Sequence, residues 1–252
     1  MKPQAFTIVI PAKDEAGLVG DCLDSVLAAT AATRRPVAVV LVAHHCSDST
    51  ENVARQILSR TRGLTEGMVL RLNDGNVATA RSAGAMAGLY LLAAYGIPFE
   101  ETLLLSTDAD SRVPPDWIEG YRPYFGSGSA AVAGMVRVNG WESNHAYQKI
   151  VHAGLRSDGH DHVYAANLAV RADAYLDVGG WPEQVPGEDS ALLAALRTKG
   201  WPVASAPEVV VNTSGRTAPR ADGGLGSLLS RLARDERQNA LIIPRQVLRS
   251  RS

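Results

Sequence analysis

The chain has 252 residues, of which 46% are hydrophobic and 20% charged, enough apolar content to bury a full core and too little charge for a disordered segment. With 25 Lys and Arg against 26 Asp and Glu, a net charge of -1 removes the whole-chain electrostatic case for a nucleic-acid partner. Cys22 and Cys46 supply neither a disulfide framework nor a zinc spacing, no apolar run approaches a membrane span, and Phe6–Ile10 is too short for a signal peptide, so a cytoplasmic setting is expected.

Short apolar runs alternate with helix-period segments, the pattern of a parallel sheet covered by helices. Phe6–Ile10 is predicted as the first strand, and Gly17–Ala29, with Val19, Cys22, Leu23 and Val26 on one face, as the first crossover helix. Val37–Ala43 is the second strand. Asp48, with Glu51 three residues on, reads as a capping box opening a helix that carries Val53, Ile57 and Leu58. Met68–Leu72 follows as a third strand, then a long helix over Asn76–Tyr95 stopped by Gly96-Ile97-Pro98, then a fourth strand, Thr102–Thr107. Past residue 110 the regularity loosens. Pro114 and Pro115 suit a helix start, and Ser129–Val138 a strand that is antiparallel or at an edge. Gly179-Gly180 reads as a stop, Asp189–Lys199 as a helix, and Ala221–Gly226 as a mobile Gly-rich loop. Arg231–Ser252 reads as a docked helix or a tail, with Leu228, Leu229 and Leu232 ahead of its arginines leaving a peripheral membrane contact open beside a solvated helix.

The most informative segment is Thr102-Leu-Leu-Leu-Ser-Thr-Asp-Ala-Asp110, an apolar strand running into two carboxylates one residue apart. Side chains i and i+2 share a face of an extended chain, and open α/β sheets bind ligands beyond the carboxyl ends of their strands. Asp108 and Asp110 therefore point to a ligand crevice and to a hard cation, Mg²⁺ or Mn²⁺, that completes its shell with phosphate oxygens. A pair of turn acids capping the following helix is the alternative. The second acidic pair, Glu188-Asp189, opens a helix whose dipole it complements, or else supplies a base that removes a proton from an attacking hydroxyl.

Four segments occur in an order that resembles the family 2 glycosyltransferases: Ile10-Pro-Ala-Lys-Asp-Glu15, Asp108-Ala-Asp110, Ala165-Ala-Asn-Leu-Ala-Val-Arg171 and Gly187-Glu-Asp189. The similarity covers residues 5–216. It implies an α/β, GT-A-like, Rossmann-type fold, a mostly parallel sheet sandwiched by helices. Residues 1–220 would form the transferase domain, with a nucleotide-binding half to about residue 110 and an acceptor half to 220, and 221–252 a C-terminal loop with a helix or tail. The resemblance implies a nucleoside-diphosphate sugar as donor and a hydroxyl as acceptor. Pro11, Ala12 and Glu15 would border the nucleoside, Arg81 contact the nucleotide, and Ala109 lie in the donor site between the two aspartates. Asp110 would hold the metal, Asp108 the ribose or the metal through water, and Asp189 would be the base. Asn167, Trp181 and Glu188 would line the sugar and acceptor side. Two departures stand out. Ala43, followed by His44 and His45, occupies a place where the family commonly has an acid that reads the nucleobase, and Arg216 stands near the place of a late metal-ligating His. A guanidinium there suits a leaving diphosphate.

His145, His152, His160 and His162, with Asp158 and Asp161, lack the spacing of a hydrolytic zinc helix and suit an acceptor loop. The whole reads as a metal-dependent, inverting glycosyltransferase. The rivals are a sugar-phosphate nucleotidyltransferase, against which no Gly-rich triphosphate loop follows the first strand, and a non-catalytic nucleotide-sugar-binding relative.

Overall fold

The computed structural model describes residues 3–157, 159–183, 186–218 and 224–235. Three βα steps and a fourth strand open the chain: strand β1 (Ala5–Ala12), helix α1 (Val19–Thr33), β2 (Val37–His44), α2 (Thr50–Leu58), β3 (Thr65–Leu72), α3 (Val77–Ala93) and β4 (Thr102–Ser106). Their core strands are apolar along their length because helices cover both faces of the sheet. Phe6, Ile8 and Ile10 of β1 pack with α1 and with Trp117 and Tyr121 on one side, while Val9 packs with Ala85 and Leu89 on the other.

β5 (Ser111–Arg112), α4 (Trp117–Gly126), β6 (Ala131–Val138), α5 (His145–Ala153), β7 (Leu155–Arg156), β8 (Gly159–His160), β9 (Leu168–Arg171), α6 (Ala172–Asp177), α7 (Glu188–Thr198) and β10 (Val203–Thr213) follow. A last helix, α8, spans 224–235. The sheet order is β3-β2-β1-β4-β9-β6-β10-β5, with β7 and β8 forming a separate hairpin. β1, β2, β3 and β4 are parallel, and β6 pairs in parallel with β10; β9 runs antiparallel to both β4 and β6, and β5 antiparallel to β10. Strands are added outward from β1 to β3 and the chain then crosses to the other side of β1 for β4. Beyond the carboxyl ends of β1 and β4 lies a topological switch point, where such sheets open a crevice.

Helix α3 lies close against the sheet because its inner face is glycine. A Cβ on Gly88 would stand 2.2 Å from Thr7 Cγ2, and one on Gly84 2.6 Å from Val9 Cγ1. Asn76 caps the helix, accepting from the Thr79 amide while the Thr79 hydroxyl accepts from the Asn76 amide. Among the described residues no helix is long and apolar enough to cross a membrane.

Three sequence expectations are corrected. The Asp48–Glu51 capping box does not form: Asp48 accepts from the amides of Ala16 and Thr50, tying the β1–α1 loop to α2, and Glu51 turns to Arg55. β6 pairs antiparallel with β9, as one of its two expected placements has it, and only the edge placement is corrected, since β9 and β10 flank it. The expected Gly-rich loop is helical from residue 224, its residues 221–223 lying outside the described residues. α8 docks through Leu229, buried among Val136, Val138, Trp141 and Tyr147; Leu225 and Leu232 pack beside it. This supports the docked-helix reading of the C-terminal segment as far as residue 235, while 236–252 lie outside the described residues.

Candidate active site

At the switch point β1 delivers Pro11, Ala12 and Glu15, and β4 runs through Thr107 into the turn Asp108–Ser111, closed by the Ser111 amide on the Asp108 carbonyl at 3.0 Å. Pro11, Ala12, Glu15, Asp108, Ala109 and Asp110 face a cleft of about 910 Å³. The other wall brings Glu188 and Asp189 from the first turn of α7, and Thr213, Ser214 and Arg216 from the end of β10. Asp108 and Asp110 thus both reach one cleft, as expected, but from the turn beyond β4 and not from an extended strand.

Each aspartate is held by its own arginine. Arg81 Nη2 donates to Asp108 Oδ1 at 2.7 Å and its Nη1 to Glu188 Oε1 at 2.5 Å. Arg216 grips both oxygens of Glu15 and stands 3.2 Å from Asp110 Oδ2. The Thr213 hydroxyl, itself accepting from Ser111, donates to Asp110 Oδ1 at 3.3 Å. Burial, reinforced by the charge of Asp108, pushes the Asp110 carboxyl up to about 6 against the pull of Arg216. The bond to Glu15 raises Arg216 in turn. Asp189 is oriented by two backbone amides, Ala165 on Oδ2 at 3.1 Å and Ser190 on Oδ1 at 2.6 Å.

Among the expected site residues, Pro11, Ala12, Glu15, Arg81, Asp108, Ala109, Asp110, Glu188, Asp189 and Arg216 all line the cleft. Asn167 and Trp181 do not. Asn167 is fully buried, its amide donating to the carbonyls of Met135 and Val209 and its oxygen accepting from Trp117 and Tyr121, so it ties β6, β10 and α4 together behind the wall. Trp181 lies under Arg81, the guanidinium 5.4 Å from its ring centre, and packs into the core with Leu192. In the histidine-rich loop, His162 Nε2 meets the Val151 carbonyl and its Nδ1 the Tyr164 hydroxyl, while His160 Nδ1 meets the His162 carbonyl; these rings organise the loop itself. Asp158 lies outside the described residues.

Several lining residues had not been singled out for the site. Lys13 and Asn76 stand on the first half's wall, where His44 and His45 share the Gly75 carbonyl; burial lowers the His44 pKa. Tyr147, Tyr164, Leu225 and Leu228 line the opposite end. The i, i+3 spacing of Leu225 and Leu228 was the available signal for the helix that brings them there. Asp14, Cys46 and Asp48 also bring possible ligand atoms within 4.8 Å of one another. Their atoms are engaged locally: Asp14 accepts from Ser47 and from the Asp48 amide, and Cys46 donates to the Ala12 carbonyl.

A family model described as "Glycosyltransferase like family 2" matches residues 3–235. No curated protein matches the sequence. Among solved structures, the chain is similar to the mannosyltransferase PcManGT from Pyrobaculum calidifontis in complex with GDP-Man and Mn²⁺, with a TM-score of 0.64 and 18% identity over 87% of this chain and 58% of that one. It is also similar to S. aureus TarS 1-349 in complex with UDP-GlcNAc, with a TM-score of 0.61 and 13% identity over 89% of this chain and 62% of that one. The chain therefore spans about three fifths of the length of either structure. At these identities the likeness is one of fold.

Proposed function

The chain belongs to the glycosyltransferase-like family 2, and from that premise we propose that it moves a glycosyl group from a nucleoside-diphosphate sugar to an acceptor hydroxyl. One observation carries the proposal: a single cleft at the sheet's switch point gathers Asp108 and Asp110 on one side and a backbone-oriented Asp189 on the other. The nucleotide sugars named with the two similar structures support the donor class.

The donor set fits a divalent cation. Five carboxylates (Glu15, Asp108, Asp110, Glu188 and Asp189) and three cations (Lys13, Arg81 and Arg216) line the cleft, an acidic excess that repels a diphosphate. The raised Asp110 carboxyl is a half-buried acid short of countercharge. Asp110, with Asp108 beside it, would hold Mg²⁺ or Mn²⁺, which when bound supplies charge to the diphosphate oxygens as the sugar leaves.

The chain's own groups divide the remaining work. Asp189, fixed by the Ala165 and Ser190 amides, accepts the acceptor's hydroxyl proton as that oxygen bonds to the anomeric carbon. The electron pair of the breaking C–O bond leaves with the diphosphate, and Arg216 faces the charge that develops there. A single base and a single displacement give inversion at the anomeric carbon.

Incubation with UDP-, GDP- and dTDP-sugars and Mn²⁺ tests this reading. The expected result is release of nucleoside diphosphate and a product of inverted anomeric configuration by NMR; retention would overturn the single displacement. Release of inorganic pyrophosphate from a nucleoside triphosphate would support a nucleotidyltransferase instead.

A further inference from the structure

We infer that Arg81 is a positioning residue that locks the metal-side aspartate to the helix carrying the base, rather than a ligand of the nucleotide. The inference rests on the transferase reading for the roles of Asp108 and Asp189. It departs from the expectation that this arginine contacts the donor.

Arg81 leaves α3 in its second turn and is 3% exposed. Its two terminal nitrogens are directed at carboxylates from opposite halves of the cleft: Asp108, just past β4, and Glu188, the first residue of α7. Trp181 covers one face of the guanidinium, and its Nε is buried without a partner. Little of the group is left for a donor.

Such an arrangement is a poor source of stability. Desolvating one guanidinium and the carboxylates that grip it costs about as much as their attraction returns, and the orphaned Nε adds to the cost. What the arrangement does provide is geometry. A planar fork with both prongs engaged fixes the distance and orientation between its two acceptors, which a flexible ammonium with one point charge cannot do. Asp108 sits two residues from Asp110, and Glu188 is adjacent to Asp189. Tying the first pair to the second sets how far the leaving group lies from the base, and a misplacement of about 1 Å costs on the order of 100-fold in rate.

The test uses the full chain with Arg81→Lys, Arg81→Ala and Glu188→Gln, each read by turnover per folded molecule and by amide hydrogen exchange. Arg81→Lys is expected to lower kcat by about 100-fold with the donor KM within about threefold of wild type. Methylguanidine, but not methylammonium, is expected to restore part of the kcat of Arg81→Ala. Glu188→Gln, which keeps the Asp108 contact, is expected to lower kcat with Mn²⁺ affinity unchanged by paramagnetic resonance. Without any substrate, the amides of Ala165 and Ser190, which hold Asp189, are expected to lose about tenfold in protection in Arg81→Lys while the centre of α3 keeps its own. A donor KM that rises while kcat holds would make Arg81 a nucleotide ligand and overturn the inference. So would a fall in melting temperature with kcat per folded molecule and both amides unchanged, which would leave only a structural brace. If the wild-type chain transfers sugar to no acceptor, the transferase reading fails by itself, and the exchange at Ala165 and Ser190 still decides whether Arg81 holds the base in place.

Discussion

Asp110 concentrates the electrostatic cost of the cleft in one carboxyl. It is half-buried beside Asp108 and Glu15, and the partial relief from Arg216 leaves it raised to about 6. Because the native value lies above the ordinary 3.8, this group's contribution to stability is fully present below about pH 4 and is lost as pH rises through 6. Asp110→Asn carries no charge at any pH, so in metal-free protein with chelator its melting temperature should exceed wild type by several degrees at pH 8, on the order of 2–3 kcal/mol, and by much less at pH 4. Thermal denaturation across that range checks it, and a gap independent of pH would show that the carboxyl is not the strained group. Asp189 differs, since two backbone amides hold it and the proposed reading sets it to work on the acceptor. Asp189→Asn should lower kcat by about 100- to 10,000-fold while nucleotide-sugar affinity, measured by calorimetry, stays within about threefold of wild type. Loss of donor binding would move the residue to the other half of the cleft. At this scale the sequence exposed the aspartates because they follow directly on the carboxyl end of an apolar strand, where such sheets bind ligands, although both lie in the turn past β4 and not on the strand itself. It did not expose the partners: Arg81 meets Glu188 107 positions away and Arg216 meets Glu15 201 positions away, separations over which no local period carries information.

Helix α3 shows what an element must do to hold such a site. It carries Arg81 and comes near enough to β1 that Gly84 and Gly88 leave no room for a methyl group. Alanine has the higher helix propensity by about 1 kcal/mol, yet at Gly88 its Cβ would overlap Thr7, and overpacking costs about 1–3 kcal/mol. Gly88→Ala should therefore lower the melting temperature by a few degrees, whereas Gly126→Ala near the end of α4, with nothing within 4 Å of the added carbon, should hold or raise it. Two scanning-calorimetry traces suffice, and a stable Gly88→Ala would mean that α3 can move off the sheet. The first three βα steps and the fourth strand were legible because each element is long enough to show its period. The second half was not, for identifiable reasons. β5, β7 and β8 are two-residue strands, too short for any alternation. The reversal of β9 between two parallel neighbours depends on pairing that its four residues do not encode. The start of α8 was hidden in a glycine-rich run, although Leu225, Leu228, Leu229 and Leu232 already kept helical spacing. Asn167 lay in a matched segment and was expected to face substrate, but four partners from α4, β6 and β10 spend its amide behind the wall.

The molecule as a whole places its acidic excess where its sheet changes direction, and that choice links stability to ligands. In a nearly neutral chain, the lining of one cleft has more carboxylates than cations, so a nucleoside diphosphate entering alone meets like charge. On the proposed reading, a divalent ion held by Asp110 and Asp108 would cancel the cleft's excess of two negative charges, and the ion and the diphosphate would bind with positive coupling. A ligand held by the native state and not by the unfolded chain stabilises by about 2.7 kcal/mol at 100 times its dissociation constant, which for a chain of this size raises the melting temperature by about 5–10 °C. Mn²⁺ or a nucleoside diphosphate given separately should produce small shifts, and the two together a shift greater than their sum. In Asp110→Asn the increment should vanish while the higher metal-free melting temperature remains, since the same substitution that relieves the half-buried charge would remove the cation's proposed anchor. A nucleoside diphosphate that stabilises the wild-type chain equally in chelator and in Mn²⁺ would show that Lys13, Arg81 and Arg216 bind it unaided and that the acidic excess is screened by other means.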